Sequence, residues 1–226
     1  ISIHEKNLLG VLHPKRSHSK KPESLIIKEA ILNPMGCCRL RDLVSPKETI
    51  AIVVPDLTRS CPRKLILPIL LDELNKGGVR DKDITIFMAI GMHRPLTKAE
   101  IEITFGAEVV KRVKVKNHDP VDKSNLTHLG YVSGGVPAVV NKELMYKDHV
   151  IAIGVIEPHL YAGFSGGPKT LSIGMAGEET ISFTHSPKFL DRPGVKLGGI
   201  KDNPFHRAII EVACIAKLKF IINVIN

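Results

Sequence analysis

Four short strings in this chain carry side chains suited to acid–base or anion chemistry. Asp56, Thr58 and Arg59 stand in PDLTRS at 55–60, and His93 stands in GMHRP at 91–95. Glu157 and His159 open the run EPHLYAGFSGGPKT at 157–170, which ends in Ser165, Gly166, Gly167, Pro168, Lys169 and Thr170. His185 follows in THSP at 184–187. An imidazole with a pKa near its ordinary value of about 6.5 can take and return a proton at neutral pH. A guanidinium can grip a carboxylate with two parallel N–H bonds. A histidine by itself is more often structural, so the case depends on whether the fold brings these groups together.

The elements that must position them can be read from the apolar pattern. Strand candidates are Thr49–Val54, Ile84–Ile90, Val113–Lys116, Val150–Gly154 and Lys219–Ile225, short and rich in Ile and Val. Several lack alternation, as expected of a sheet covered on both faces. Helix candidates are Glu23–Leu32, Leu65–Asn75, Thr97–Phe105, Ala138–Tyr146 (opened by Pro137) and Pro204–Lys217. Pro68 must sit in the first turn of its helix or kink it. Strands alternating with helices predict a doubly wound, mainly parallel, Rossmann-like α/β domain, with residues 1–48 as a less regular lead-in. In such sheets ligands bind beyond the carboxyl ends of the strands. Three strand ends then deliver Arg59, His93 and His159 to one rim.

The run 163–170 resembles a phosphate-binding P-loop but departs from it at Pro168, where the second glycine belongs and where proline has no N–H to offer. Proline instead suits the first turn of a helix, so the glycines predict a tight turn into a helix start beside Lys169, an anion site of unspecified ligand. His185 has no second histidine four residues on, so an H-x3-H zinc site is not supported. One imidazole could still complete a metal site whose other ligands are not protein.

Composition narrows the class. The 226 residues carry 32 Lys and Arg against 23 Asp and Glu, a formal net charge of +9, with 43% apolar and 24% charged residues. That is the balance of a globular domain and excludes disordered and collagen-like chains. Four scattered cysteines without a CxxC read as reduced thiols of a cytoplasmic protein, and no run is long enough for a membrane span. The segment His13–Lys21 supplies four of the positive charges and reads as an exposed loop. No nucleic-acid-binding motif or aromatic interleaving accompanies the basic residues, so nucleic acid is not an expected partner. The chain has no initiator Met and stops in the apolar stretch Phe220–Val224, the pattern of one part of a longer protein.

Taken in order, PDLTRS, GMHRP, NHD at 117–119 and EPHLYAGFSGGPK resemble the N-terminal domain of the nickel-dependent lactate racemase family. The resemblance implies a racemase or epimerase of 2-hydroxy acids that uses a nickel-pincer nucleotide, with a C-terminal domain missing from this chain, so that the piece alone is inactive. By position His93 and His159 match the paired acid/base histidines, Arg59 the substrate-carboxylate arginine and His185 the nickel ligand. Lys169 matches the lysine that can be joined to the cofactor through a thioamide, with Asp56, Thr58, Ser165, Gly166 and Gly167 as further cofactor contacts. In this chemistry a hydride leaves the substrate carbon while a base takes the hydroxyl proton, and return of hydride to the other face inverts the centre. Two other readings stay open: a nucleotide-binding phosphotransferase using the 163–170 loop, and a non-catalytic anion-binding module.

Overall fold

In a computed structural model, which describes residues 2–11, 13 and 19–225, the chain enters through helix α1 (Glu23–Leu32) and a single turn, α2 (Leu40–Leu43). Strand β1 (Ile50–Pro55), helix α3 (Arg63–Lys76), strand β2 (Ile84–Ala89), helices α4 (Lys98–Phe105) and α5 (Ala107–Arg112) and strand β3 (Lys114–Asn117) follow. A hairpin of β4 (Leu126–Val132) and β5 (Val136–Asn141) and a turn, α6 (Lys142–Met145), lead to β6 (His149–Val155). After the two-residue strands β7 (Pro158–His159) and β8 (Gly163–Phe164) come helices α7 (Gly167–Ser172), α8 (Glu178–Thr184), α9 (Pro187–Leu190) and α10 (Pro204–Ile215), then strand β9 (Leu218–Val224).

The central sheet has the order β3-β2-β1-β6-β9, with every pairing parallel. All five predicted strands are present, shifted by at most a residue or two. The lack of alternation has the expected cause: every residue of β1 and β2 is buried. The two faces nevertheless differ in size. Ile50, Ile52, Val54, Ile84, Ile86 and Met88 pack against α1, α3, α4 and α5 through Ile31, Ile66, Leu70, Phe105 and Val109. The opposite face carries Ala51, Ala89 and Ala152 beside Val53 and Phe87, under Leu171 and Met175. Small side chains on that face let α7 lie close to β6. The chain winds outward from β1 to β3, then returns to start β6 on the other side of β1, so the loops after β1 and β6 diverge at a topological switch point.

One predicted helix is wrong. Residues 138–141 of the expected Ala138–Tyr146 helix belong to β5, antiparallel to β4, and only Lys142–Met145 is helical. Val136, Val139 and Val140 are β-branched, buried and paired across the hairpin, and the Asn141 side chain caps the short turn by accepting from Glu143 N (3.0 Å). Pro137 pairs with Tyr131 where the hairpin register shifts, an irregularity that tolerates a residue without N–H. Pro68 lies past the first turn of α3, and the Lys64 carbonyl that its missing N–H would have met is on an exposed residue. The Thr97–Phe105 helix is closed at its start by a capping box between Thr97 and Glu100. Of the basic stretch His13–Lys21, Pro14–His18 lie outside the described residues; His13, Ser19, Lys20 and Lys21 are exposed. Among the described residues no helix is long and apolar enough to cross a membrane.

Candidate active site

The turn after β1 is built around two buried charges. Asp56 Oδ1 accepts from Thr58 N (3.1 Å) and Thr58 Oγ1 (2.5 Å), while Oδ2 faces His93 Nδ1. Arg63, from the first turn of α3, reaches back beneath the loop. Its Nε donates to Pro55 O (2.9 Å), and its two terminal nitrogens donate to the carbonyls of Asp56, Cys61 (3.3 Å) and Arg59 (3.1 Å). Burial lowers the Arg63 pKa, with Cys61 and Asp56 opposing that shift, but a guanidinium keeps its charge in a protein. The loop thus has fixed backbone. Arg59 projects from it and donates from Nη1 to Glu157 Oε2 (2.9 Å).

The loop after β6 is tied to the glycine-rich run. Ser165 N donates to Glu157 O (2.9 Å), Glu157 N donates to Ser165 Oγ (3.0 Å), and that hydroxyl donates to Val155 O (2.6 Å). His159 Nδ1 accepts from the backbone N–H groups of Tyr161 and Ala162, both at 3.2 Å. Its neutral form therefore carries the proton on Nε2. His93, donating from Nδ1 to Asp56, has the reverse arrangement with Nε2 free to accept. The two imidazoles are poised in opposite senses, one as a base and one as an N–H donor. Burial, reinforced by Lys169, Arg59 and His185, drives the His159 pKa down to about 4.

The predicted helix start at 166–168 is present, with Gly166 as N-cap and Pro168 in the first turn of α7. It is not a phosphate cradle. Gly167 N donates to Asn223 Oδ1 (2.9 Å) and Pro168 has no N–H, so two of the first-turn donors are unavailable to an anion. Positive charge comes instead from Lys169 and Arg59. Burial, with a smaller push from Arg59, lowers the Lys169 amine to about 8.

His185 follows α8, and its Nδ1 donates to Ile181 O (2.9 Å) and lies 3.1 Å from Thr184 Oγ1. That bond fixes the tautomer with a lone pair on Nε2, the form a metal ligand needs. Burial lowers its pKa, with Lys169 adding to the shift, so the ring stays neutral. Among the described residues no group of three or more His, Cys, Asp or Glu side chains could hold a metal ion. His185 could thus contribute one ligand to an ion held mainly by a bound group.

A cavity of about 280 Å³ at the switch point brings these parts together. Asp56, Thr58, Arg59, His93, His159, Ser165, Gly166, Lys169 and His185 all line it. Gly167, predicted among the cofactor contacts, is buried beneath it against Asn223. Ser165 is at the cavity wall, with its hydroxyl engaged by the loop after β6. Sequence reasoning missed Arg63, Asn223 and Tyr161. The Tyr161 ring stands edge-on to both His159 (5.8 Å between centroids) and His185 (5.9 Å), a wedge between them. Arg63 shares the buried face of α3 with a second charged residue, Glu73, and no local spacing singles it out.

The chain as a whole matches a described family. A model of the lactate racemase N-terminal domain matches residues 1–198. The chain belongs to that family. It is 35% identical over 223 residues to the lactate racemase of Thermoanaerobacterium thermosaccharolyticum, and 34% identical over 225 residues to that of Lactiplantibacillus plantarum. These alignments take in 98% and 99% of this chain but 52% and 53% of the relatives, so the chain spans about half their length. The structure of the T. thermosaccharolyticum lactate racemase apoprotein superposes with a TM-score of 0.83 at 35% identity, over 89% of this chain and 48% of that one. A Thermotoga maritima protein shares the fold, with a TM-score of 0.71 at 23% identity over 89% of this chain and 51% of that one.

Proposed function

We propose that this chain is the cofactor-holding half of a 2-hydroxy acid racemase, with lactate as the first substrate to test, and that it works with a nickel-pincer nucleotide. The observation that carries the reading is the meeting of His93, His159, Arg59, Lys169 and His185 in one cavity, from four separate segments. The residues fit the cofactor. Lys169 has an amine lowered to about 8, suited to acylation or to pairing with an anionic group, and His185 presents a neutral Nε2 to a metal. When bound, the nucleotide would supply a hydride acceptor.

The chain's own residues then have defined work. Arg59 binds the substrate carboxylate. His93 accepts the hydroxyl proton at Nε2, while Asp56 holds its Nδ1–H and stabilises the imidazolium that forms. His159 offers Nε2–H to an oxygen in the cavity. To act as a base toward the opposite enantiomer it must turn its ring and release the N–H groups of Tyr161 and Ala162. The phosphotransferase reading loses its support with the missing first-turn donors.

The test uses protein produced in cells that make the cofactor. About one nickel per chain and a mass increment on the peptide containing Lys169 are expected, and His93→Ala or His159→Ala should nearly abolish lactate racemisation in the full-length enzyme. Full activity in the double variant would sink the reading.

A further inference from the structure

We propose that Glu157 is a positioning residue for Arg59: it fixes one nitrogen of the guanidinium so that the remaining donors meet a 2-hydroxy acid carboxylate in a single orientation. The inference rests on the reading of Arg59 as the carboxylate clamp.

Arg59 has a rigid base and an otherwise free head. Its backbone is locked by Arg63, yet its side chain forms one hydrogen bond, from Nη1 to Glu157 Oε2, and has no other protein partner among the described residues. Nε and Nη2, which form one edge of the guanidinium fork, are left for a ligand. Without Glu157, a long side chain with several rotatable bonds would sample many poses around the same point charge.

Glu157 is itself held from behind. Its N–H and C=O are both bonded to Ser165, whose hydroxyl reaches Val155 O at the end of β6. The carboxylate is therefore placed relative to the glycine-rich run that carries Lys169. The pair joins the loop after β1 to the loop after β6, the two loops that flank the crevice. Both side chains are about one-third exposed (33% and 37%), so the pair adds little to stability and its consequence is geometric. Arg59 locates the carboxylate, Lys169 marks the cofactor, and Glu157 sets the angle between them.

A structural role and a positioning role predict different results. On the ¹⁵N-labelled chain, the Arg59 guanidinium N–H resonances, assigned by their loss in Arg59→Lys, should show restricted rotation. That restriction should disappear in Glu157→Ala and return in Glu157→Gln, whose amide oxygen accepts the same bond. In the loaded full-length enzyme, Glu157→Ala should lower kcat about tenfold or more with KM for lactate changed less than about threefold, because binding survives while alignment does not. Glu157→Gln should recover most of kcat. If Glu157→Ala fails to fold, Glu157→Asp moves the acceptor back by one methylene and should show the same split. Unchanged kcat in Glu157→Ala, or a loss that Gln does not rescue, overturns the proposal. If Arg59→Ala leaves lactate binding and turnover intact, it is the reading of Arg59 that fails, whatever Glu157 does.

Discussion

Asp56 holds His93: one carboxylate oxygen faces the imidazole Nδ1, and the other is filled by the N–H and hydroxyl of Thr58. Asp56 is only 6% exposed while the His93 side chain is 61% exposed, so a fixed carboxylate directs an accessible ring. The pair reproduces the logic of an aspartate that fixes a histidine tautomer. Asp56→Asn keeps the shape but lets the amide donate, which favours the wrong tautomer on His93. Racemisation by the full-length enzyme should fall at least about 100-fold, judged by the effect of that change in serine proteases, while lactate binding through Arg59 stays within a few-fold. Retained turnover in Asp56→Asn would remove His93 from the role of base.

The opposed tautomers of His93 and His159 can be read directly. Long-range ¹⁵N–¹H spectra of the chain should show an unprotonated Nδ1 and a protonated Nε2 on His159, and the reverse on His93. Because burial and the nearby cations hold His159 at about 4, its pattern should persist unchanged from about pH 8 down to about pH 5. A His159 that titrates near 6.5 would show that its ring is not buried beside Lys169 and Arg59.

How much of the site was legible depended on what each residue had to do. Arg59, His93 and His159 could be placed because each follows an unmistakable Ile- and Val-rich strand, and parallel topology sends all three loops to one rim. Residues 138–141 were misread because Pro137 suits a helix start as well as an irregular strand, and what decides between them is pairing with β4, which no local pattern contains. The bond from Asn223 to Gly167 and the bracing by Arg63 join segments through tertiary contact alone. Spacing carries no trace of such contacts. The helix start expected at the glycine-rich run is present, but it has fewer donors for an anion than the local sequence offers, because a distant asparagine holds the Gly167 N–H.

His118, which has no role in the sequence reading, ties the end of β3 to the segment after α7 and to the end of β5. Its Nε2 donates to Ala176 O (2.8 Å), and Nδ1 accepts from Asn141 Nδ2 (3.2 Å); the amide is oriented because Asn141 Oδ1 accepts from Glu143 N. Burial lowers its pKa, with smaller opposing contributions from Ala176 O and Asp119. A histidine depressed in the folded state binds more protons when unfolded. Its contribution is therefore complete above about pH 7, declines as the pH falls below the ordinary value of about 6.5, and is lost at the lowered folded value. His118→Leu should cost about 1–3 kcal/mol at pH 8, the range for leaving buried partners unpaired, and the deficit should shrink toward pH 5. Denaturant unfolding across that range would show it. A deficit that stays constant with pH would mean that His118 is not buried neutral in the folded chain.

Gly154, the penultimate residue of β6, sets how closely the glycine-rich run approaches the sheet. It needs no unusual backbone conformation there; what it lacks is room, since a Cβ would overlap Gly167 N and the Gly166 carbonyl carbon and lie 2.8 Å from Asn223 Oδ1. These contacts are mainly backbone, which cannot rotate away, so Gly154→Ala must push the start of α7 outward and strain the Gly167–Asn223 bond. Overpacking of this kind costs about 1–3 kcal/mol, and each kcal/mol lowers Tm by about 2–4 °C in a domain of this size. Gly10→Ala, where no atom of the described residues lies within 4 Å, should leave Tm unchanged and serves as the control. Lys169 rides on α7, so the same variant should also release its amine toward the ordinary lysine pKa, reducing its reactivity toward an amine-modifying reagent near pH 8. A Gly154→Ala chain with wild-type Tm and Lys169 reactivity would show that α7 does not pack against β6 as closely as the small residues of that face allow.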